Sequence, residues 1–117
     1  LQDREQRYIE PALARARGLF ERRLSGPALE AATGRLVADP VGAGAADAEL
    51  VIEAVFEDPA VKREVFARLE AALPPGVPIA TNTSSIPLED LAAGLADPAR
   101  LVGLHFFNPV AKLPLVE

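Results

Sequence analysis

His105 is the one histidine in the chain. It stands at the end of an apolar run, with Phe106, Phe107, Asn108 and Pro109 directly behind it. An imidazole titrates near neutrality, so it can take a proton from a hydroxyl and give it back at physiological pH. A base of this kind works best when a carboxylate on the far ring nitrogen fixes its tautomer and stabilises the imidazolium. Glu117 is placed to be that carboxylate, because it follows a turn forced by Pro109 and a second extended run. Two adjoining segments connected in this way can bring their side chains together. A lone histidine at a strand end is more often structural than catalytic, and both readings stand at this point.

Two further segments put polar groups where a ligand could meet them. Phe56-Glu57-Asp58 follows one apolar run and Asn82-Thr83-Ser84-Ser85 follows another. Each has an ordinary structural reading as well. Glu57 and Lys62 read as solvated charges at a helix start, Ser85 reads as a helix cap with Glu89 in the first turn, and Asn108 before a proline reads as a turn residue.

The elements that would carry these groups alternate between strand and helix. Leu50 to Val55 is a near-continuous apolar run, which suggests a strand buried on both faces of a parallel sheet. Asp58-Pro59 opens a helix through Ala72, with Asp58 as N-cap and Pro59 in its first turn. Val61, Val65, Phe66, Leu69 and Leu73 form its apolar stripe, and Pro74-Pro75-Gly76 stops it. Val77 to Thr81 is a second strand, Pro87 to Leu95 a short helix, Leu101 to Phe107 a third strand, and Leu113 to Glu117 extended. Before these, Asp3 to about Arg23 reads as an amphipathic helix. Pro11 sits awkwardly in it unless it marks the first turn of a helix beginning near Ile9. Leu24 to Thr33 breaks at Ser25-Gly26-Pro27 and then turns helical, Arg35 to Asp39 is a candidate strand, and Val41 to Ala46 a loop. The alternation indicates βαβ units and a mainly parallel sheet, hence an α/β fold. Open sheets of this type bind ligands at the carboxyl ends of their strands, where His105, Ser84 and Glu57 all fall.

Composition narrows the partners. The 117 residues carry a formal net charge of -5 and no run of Lys and Arg that could track a phosphate backbone, which argues against nucleic acid. With no cysteine and one histidine, no metal site of the usual kind is expected. No apolar stretch is long enough to span a membrane as a helix. A cytoplasmic (bacterial) or organelle-matrix location is expected. Neither end reads as a natural terminus, so a longer parent is expected.

LVIEAVFED at 50–58, VKREVF at 61–66, ATNTSS at 80–85, GLHFFNPV at 103–110 and LPLVE at 113–117 together resemble the NAD-binding domain of 3-hydroxyacyl-CoA dehydrogenases. The form NPVAKLPLVE is most similar to the dehydrogenase part of the multifunctional fatty-acid oxidation enzymes. The resemblance is strong from residue 48 onward, and Leu1-Gln2-Asp3 looks like the end of the family's second strand. It implies a partial Rossmann-type, doubly wound sheet over residues 1–117, lacking its first strand and Gly-rich loop. Residues 1–47 form a helical segment and loop, and 48–117 a βαβαβ core.

For function, the resemblance implies oxidation of an L-3-hydroxyacyl-CoA to the 3-ketoacyl-CoA with NAD, in fatty-acid β-oxidation. His105 is then the base, Glu117 its partner, and Ser84 a hydrogen-bond donor to the reacting oxygen. Asp3 would meet the adenosine ribose, where a carboxylate favours NAD over NADP. Glu57, Lys62 and Asn82 would lie toward the nicotinamide ribose. Ala54 and Val55 would line the dinucleotide through their backbone, and Asn108 would support substrate binding. The implied partners are an acyl-CoA and further copies of the parent, or a multifunctional complex. Since the Gly-x-Gly-x-x-Gly fingerprint is missing from these residues, this stretch alone is expected to be inactive. The alternatives are an NAD-dependent β-hydroxyacid dehydrogenase of another family, and a non-catalytic Rossmann-fold binding protein.

Overall fold

Three short parallel strands set the geometry of everything downstream. In the computed structural model, which describes residues 1–110 and 112–117, they are β1 (Val51–Glu53), β2 (Ile79–Thr81) and β3 (Leu101–Gly103). They are hydrogen-bonded in the order β1-β2-β3, with Ile79 opposite both Val51 and Leu101. Each strand is shorter than its apolar run suggests, for local reasons. Pro78 has no N–H to extend β2 backward, and the N–H of Val55 turns aside to the Glu53 carboxylate.

The chain divides into two compact units, Leu1–Gly44 and Ala45–Glu117. In the first, α1 (Gln6–Glu21) and α2 (Gly26–Gly34) pack on one another. Pro11 lies inside α1, not in its first turn. It therefore removes one intrahelical bond at a known cost, and the rest of the helix forms regardless. The expected strand Arg35–Asp39 does not form. The N–H groups of Arg35 and Leu36 bond back to Ala32 and Thr33 at the end of α2, while the Leu1 amine donates to Val37 and the N–H of Asp39 to Leu1. Within the expected loop after it, Ala43–Asp47 makes a 3-10 turn.

In the second unit, α3 (Pro59–Ala72) joins β1 to β2, and α4 (Leu88–Ala92) lies between β2 and β3. A sheet that steps in one direction keeps right-handed crossovers on one face, and α3 and α4 do pack together. Asp58 caps α3 by accepting the N–H of Ala60 and Val61 at 2.8 and 3.0 Å. The core between helices and sheet is Phe66, Leu73, Ile79, Leu91, Leu95 and Leu101. On the opposite face Ala80 of the central strand is buried, whereas Ile52 and Val102 on the flanking strands are 48% and 43% exposed, so β1 is not covered on both faces here as Leu50–Val55 suggested. Buried Arg100 donates to the carbonyls of Val77 and Pro74 and fixes the turn into β2.

The apolar stripe of α3 holds at Phe66, Leu69 and Leu73 and departs from its expected line only in the first turn. Val61 is exposed, and the neighbouring Lys62 is buried instead. Its ammonium reaches both carboxylate oxygens of Glu53 at 2.8 and 3.0 Å. The Thr81 hydroxyl donates to Glu53 at 2.6 Å. One ion pair thus links β1, β2 and α3 inside the core.

A buried pair that loses one partner leaves a charge in a place where water cannot reach it. Glu53→Ala is expected to lower the unfolding free energy by about 3–5 kcal/mol, read from urea denaturation. The paired change Glu53→Met with Lys62→Met should recover most of that loss. A single-variant loss below about 1 kcal/mol would show that the pair is solvated rather than buried.

Candidate active site

His105 and Glu117 are locked together by backbone before their side chains are considered. The N–H of His105 donates to the Glu117 carbonyl at 2.7 Å, and the N–H of Glu117 returns to His105 at 3.0 Å. Phe106 and Val116 form the antiparallel bridge alongside. Residues that exchange both bonds in an antiparallel pair lie directly opposite, with side chains on the same side. His105 Nδ1 and Glu117 Oε2 are accordingly 3.7 Å apart, an ion-pair distance longer than a hydrogen bond. The ring is partly buried and the carboxylate exposed. Phe107 packs edge-on against the imidazole, 4.5 Å between centroids.

Ser84 joins them across a cavity of about 300 Å³, lined by Thr83, Ser84, Ile86, Leu88, His105 and Glu117 among others. Imidazole, carboxylate and serine thus line one space, and Asn108 is not among the residues around it. Asn108 lines a second cavity of about 270 Å³ with Ile52, Ala54, Asn82, Phe106 and Val110. Asn82, on the second cavity, is tied to the segment that carries His105. Its Oδ1 accepts the N–H of Phe106 at 2.9 Å, and its own N–H donates to the carbonyl of Glu53. The side chain that borders the second cavity therefore also places the residue next to His105.

The remaining expected cofactor contacts are distributed unevenly. The N–H of Val55 is bonded to Glu53, and its carbonyl lies 3.4 Å from the Lys62 ammonium. Its backbone is thus committed internally, whereas Ala54 borders the second cavity. Lys62 lies beneath the surface, 1% exposed, with Glu57 Oε2 3.5 Å from its ammonium. Asp3 belongs to the first unit, where it is exposed and accepts the N–H of Arg4. Among the described residues no cluster of three or more His, Asp or Glu could hold a metal, and no helix is long and apolar enough to cross a membrane.

Glu57 is neither a free surface charge nor an isolated ligand. Its Oε1 receives the Thr83 hydroxyl at 2.6 Å and the N–H groups of Ser84 and Ser85 at 2.8 and 3.0 Å. The Ser85 hydroxyl also points to it, at 3.2 Å, so that group does not cap α4. The residue before α4 is Pro87, which makes no side-chain cap. Sequence reasoning passed over Glu53 and Thr81, and took Thr83 only as part of the polar run 82–85. One signal was available: an acidic residue inside a run taken as buried needs a cation, and Lys62 is the first one after it.

With this geometry in view, the whole chain, residues 1–117, matches the family described as 3-hydroxyacyl-CoA dehydrogenase, NAD binding domain. The chain belongs to that family. The 3-hydroxybutyryl-CoA dehydrogenase of Mycobacterium tuberculosis is 57% identical over 72 residues, 61% of this chain and 25% of the relative. The L-carnitine dehydrogenase of Streptomyces coelicolor is 50% identical over 88 residues, 74% of this chain and 28% of the relative. The crystal structure of M. tuberculosis FadB2 superposes with a TM-score of 0.89 at 39% identity, covering 98% of this chain and 42% of that one. The α/β architecture with its parallel sheet is therefore that of the Rossmann-like dehydrogenases. The chain spans about a quarter of the curated relatives it matches.

The Glu57 carboxylate is held down to about 2 from its ordinary 4.5, first by the Thr83 hydroxyl, then by the N–H groups of Ser84 and Ser85 and the Lys62 charge, against partial burial. A carboxylate depressed on folding stabilises the fold fully above its unfolded value, and that contribution is lost as pH falls toward the folded one. The stability difference between wild type and Glu57→Gln should therefore be constant near neutral pH and shrink between about pH 5 and about pH 2. Unfolding free energies measured across that range check this, and parallel curves for the two proteins would contradict it.

Proposed function

We propose that the protein carrying this chain oxidises an L-3-hydroxyacyl-CoA to the 3-ketoacyl-CoA with NAD, a step of fatty-acid β-oxidation. The observation that supports it most is the register pairing of His105 with Glu117 on the cavity that Ser84 also lines. Substrate would enter with its 3-hydroxyl toward His105. The imidazole takes the hydroxyl proton as the C3–H bond breaks, and Glu117 stabilises the imidazolium that results. The Ser84 hydroxyl donates a hydrogen bond to the same oxygen as it becomes a carbonyl. Phe107 packs against the base and restricts its orientation.

Bound NAD would supply the acceptor for the hydride leaving C3. The fit of this group rests on the second cavity, which lies beside the carboxyl ends of β1 and β2 and is bordered by Ala54 and Asn82. Asn82 spends its oxygen on Phe106, which leaves its amide NH₂ for a ribose hydroxyl. Glu57, with Lys62 behind it, would lie toward the nicotinamide ribose. Val55 would contribute its side chain more than its backbone. Asn108, on this cavity, would act from the cofactor side. The exposed carboxylate of Asp3 would take the adenosine ribose hydroxyls and disfavour a 2′-phosphate. A multifunctional parent, implied by NPVAKLPLVE, and a bacterial cytoplasmic setting belong to the same proposal. The similarity to an L-carnitine dehydrogenase favours one second reading, in which a free 3-hydroxy acid replaces the thioester.

Initial rates of NADH formation with 3-hydroxybutyryl-CoA and with L-carnitine test these readings in the full protein. Oxidation of the thioester is expected, with His105→Gln lowering kcat by about 10²–10⁴-fold. Oxidation of carnitine alone would replace the thioester reading with the free-acid one. Because no Gly-x-Gly-x-x-Gly follows a strand within these residues, calorimetry on the 117-residue stretch by itself should show no micromolar NAD binding.

A further inference from the structure

Five donors converge on one oxygen of Glu57. They are the Thr83 hydroxyl at 2.6 Å, the Ser84 N–H at 2.8 Å, the Ser85 N–H at 3.0 Å, the Ser85 hydroxyl at 3.2 Å and the Ser84 hydroxyl at 3.4 Å. The other oxygen faces the ammonium of Lys62 at 3.5 Å. That ammonium is in turn fixed by both oxygens of Glu53, and Glu53 accepts from Thr81, two residues before Thr83. The contacts make a closed circuit. It leaves the end of β2 through Thr81, crosses to β1 at Glu53, rises through Lys62 to Glu57, and returns to the loop that follows β2.

The strengths within this circuit are graded. The backbone of Ser84 is tied by a short, charge-assisted bond, while its hydroxyl is at the far limit of hydrogen bonding to the same oxygen. The main chain is therefore fixed and the hydroxyl only lightly engaged, so it can turn to an oxygen in the cavity shared with His105. A ribose contact alone would not require three loop residues to converge on Glu57.

We propose that Glu57 is a positioning residue for Ser84, held in place by Lys62 and, through it, by Glu53. The assignment rests on the reading that Ser84 bonds the reacting oxygen. A misplacement of a positioning group by about 1 Å can cost on the order of 100-fold in rate. Glu57→Ala should then lower kcat about 10- to 100-fold at saturating NAD, a loss separate from any weakening of the Kd for NAD that its place near the ribose brings.

The test is a double-mutant cycle in the full protein, comparing wild type, Glu57→Ala, Ser84→Ala and the double variant, with amide hydrogen exchange followed at Ser84 and Ser85. If Glu57 acts through Ser84, adding Glu57→Ala to Ser84→Ala changes kcat by less than about twofold. Exchange at the two amides should rise in Glu57→Ala, and Glu57→Gln, which keeps an acceptor oxygen, should recover part of the rate. Should Glu57→Ala fail to fold, Thr83→Val removes the shortest of the five bonds and should give a smaller loss that is likewise masked by Ser84→Ala. An active wild type whose two losses multiply, unchanged exchange, or a variant that weakens NAD with kcat intact would each overturn the proposal alone. A wild type inactive on every 3-hydroxy substrate would instead remove the reading of the site, and this inference with it.

Discussion

A lysine ammonium and a glutamate carboxylate cannot both be withdrawn from water unless each nearly satisfies the other. Lys62 and Glu53 meet that condition at 2.8 and 3.0 Å, and Thr81 and the N–H of Val55 complete the carboxylate's partners. The cost of desolvation makes such a pair intolerant of displacement. α3 must therefore present residue 62, rather than 61, to the sheet, and the backbone after β1 must bend so that Val55 faces Glu53. Glu57, at the far side of Lys62, then stands where the loop after β2 can close on it. The position of Ser84 follows from that closure.

The second constraint is the register of the two extended segments near the end of the chain. Its effect is discrete: a shift by one residue would send Glu117 to the other side of the pair. The mutual bonds between His105 and Glu117 exclude that shift. Asn82 then connects this ribbon to the sheet through Phe106, so the histidine inherits its place from the same strand ends that support Ser84. This arrangement, in a chain that belongs to the 3-hydroxyacyl-CoA dehydrogenase NAD-binding family, places an imidazole, a carboxylate and a serine hydroxyl on one cavity, with a second cavity bordered by Ala54 and Asn82.

Much of the second unit was readable from residue pattern. α3 starts at Pro59 under an Asp58 cap and ends at Ala72 because local chemistry alone decides those points. The three strands lie within their apolar runs, and HFFNP, NTSS and LPLVE led to the family. What escaped was polar and buried. Hydrophobic periodicity counts only apolar residues, so it drew the stripe of α3 through exposed Val61 and missed Lys62. Glu53 was hidden inside a run read as apolar. Ser85 had the right type and place for a helix cap, but a carboxylate from another loop claimed its hydroxyl. RLVAD has strand-like residues, yet its first two N–H groups bond back to the end of α2. For Lys62, Glu53 and Ser85, a contact between separate elements outweighed a local preference.

The account stands on His105 and Ser84 acting on one substrate oxygen. The most direct measurement is a crystal structure of the full protein with NAD and a 3-ketoacyl-CoA. The account predicts the 3-keto oxygen within about 3 Å of both the His105 imidazole and the Ser84 hydroxyl, with Glu117 behind the ring. A well-ordered thioester whose 3-keto oxygen lies away from both side chains would contradict it.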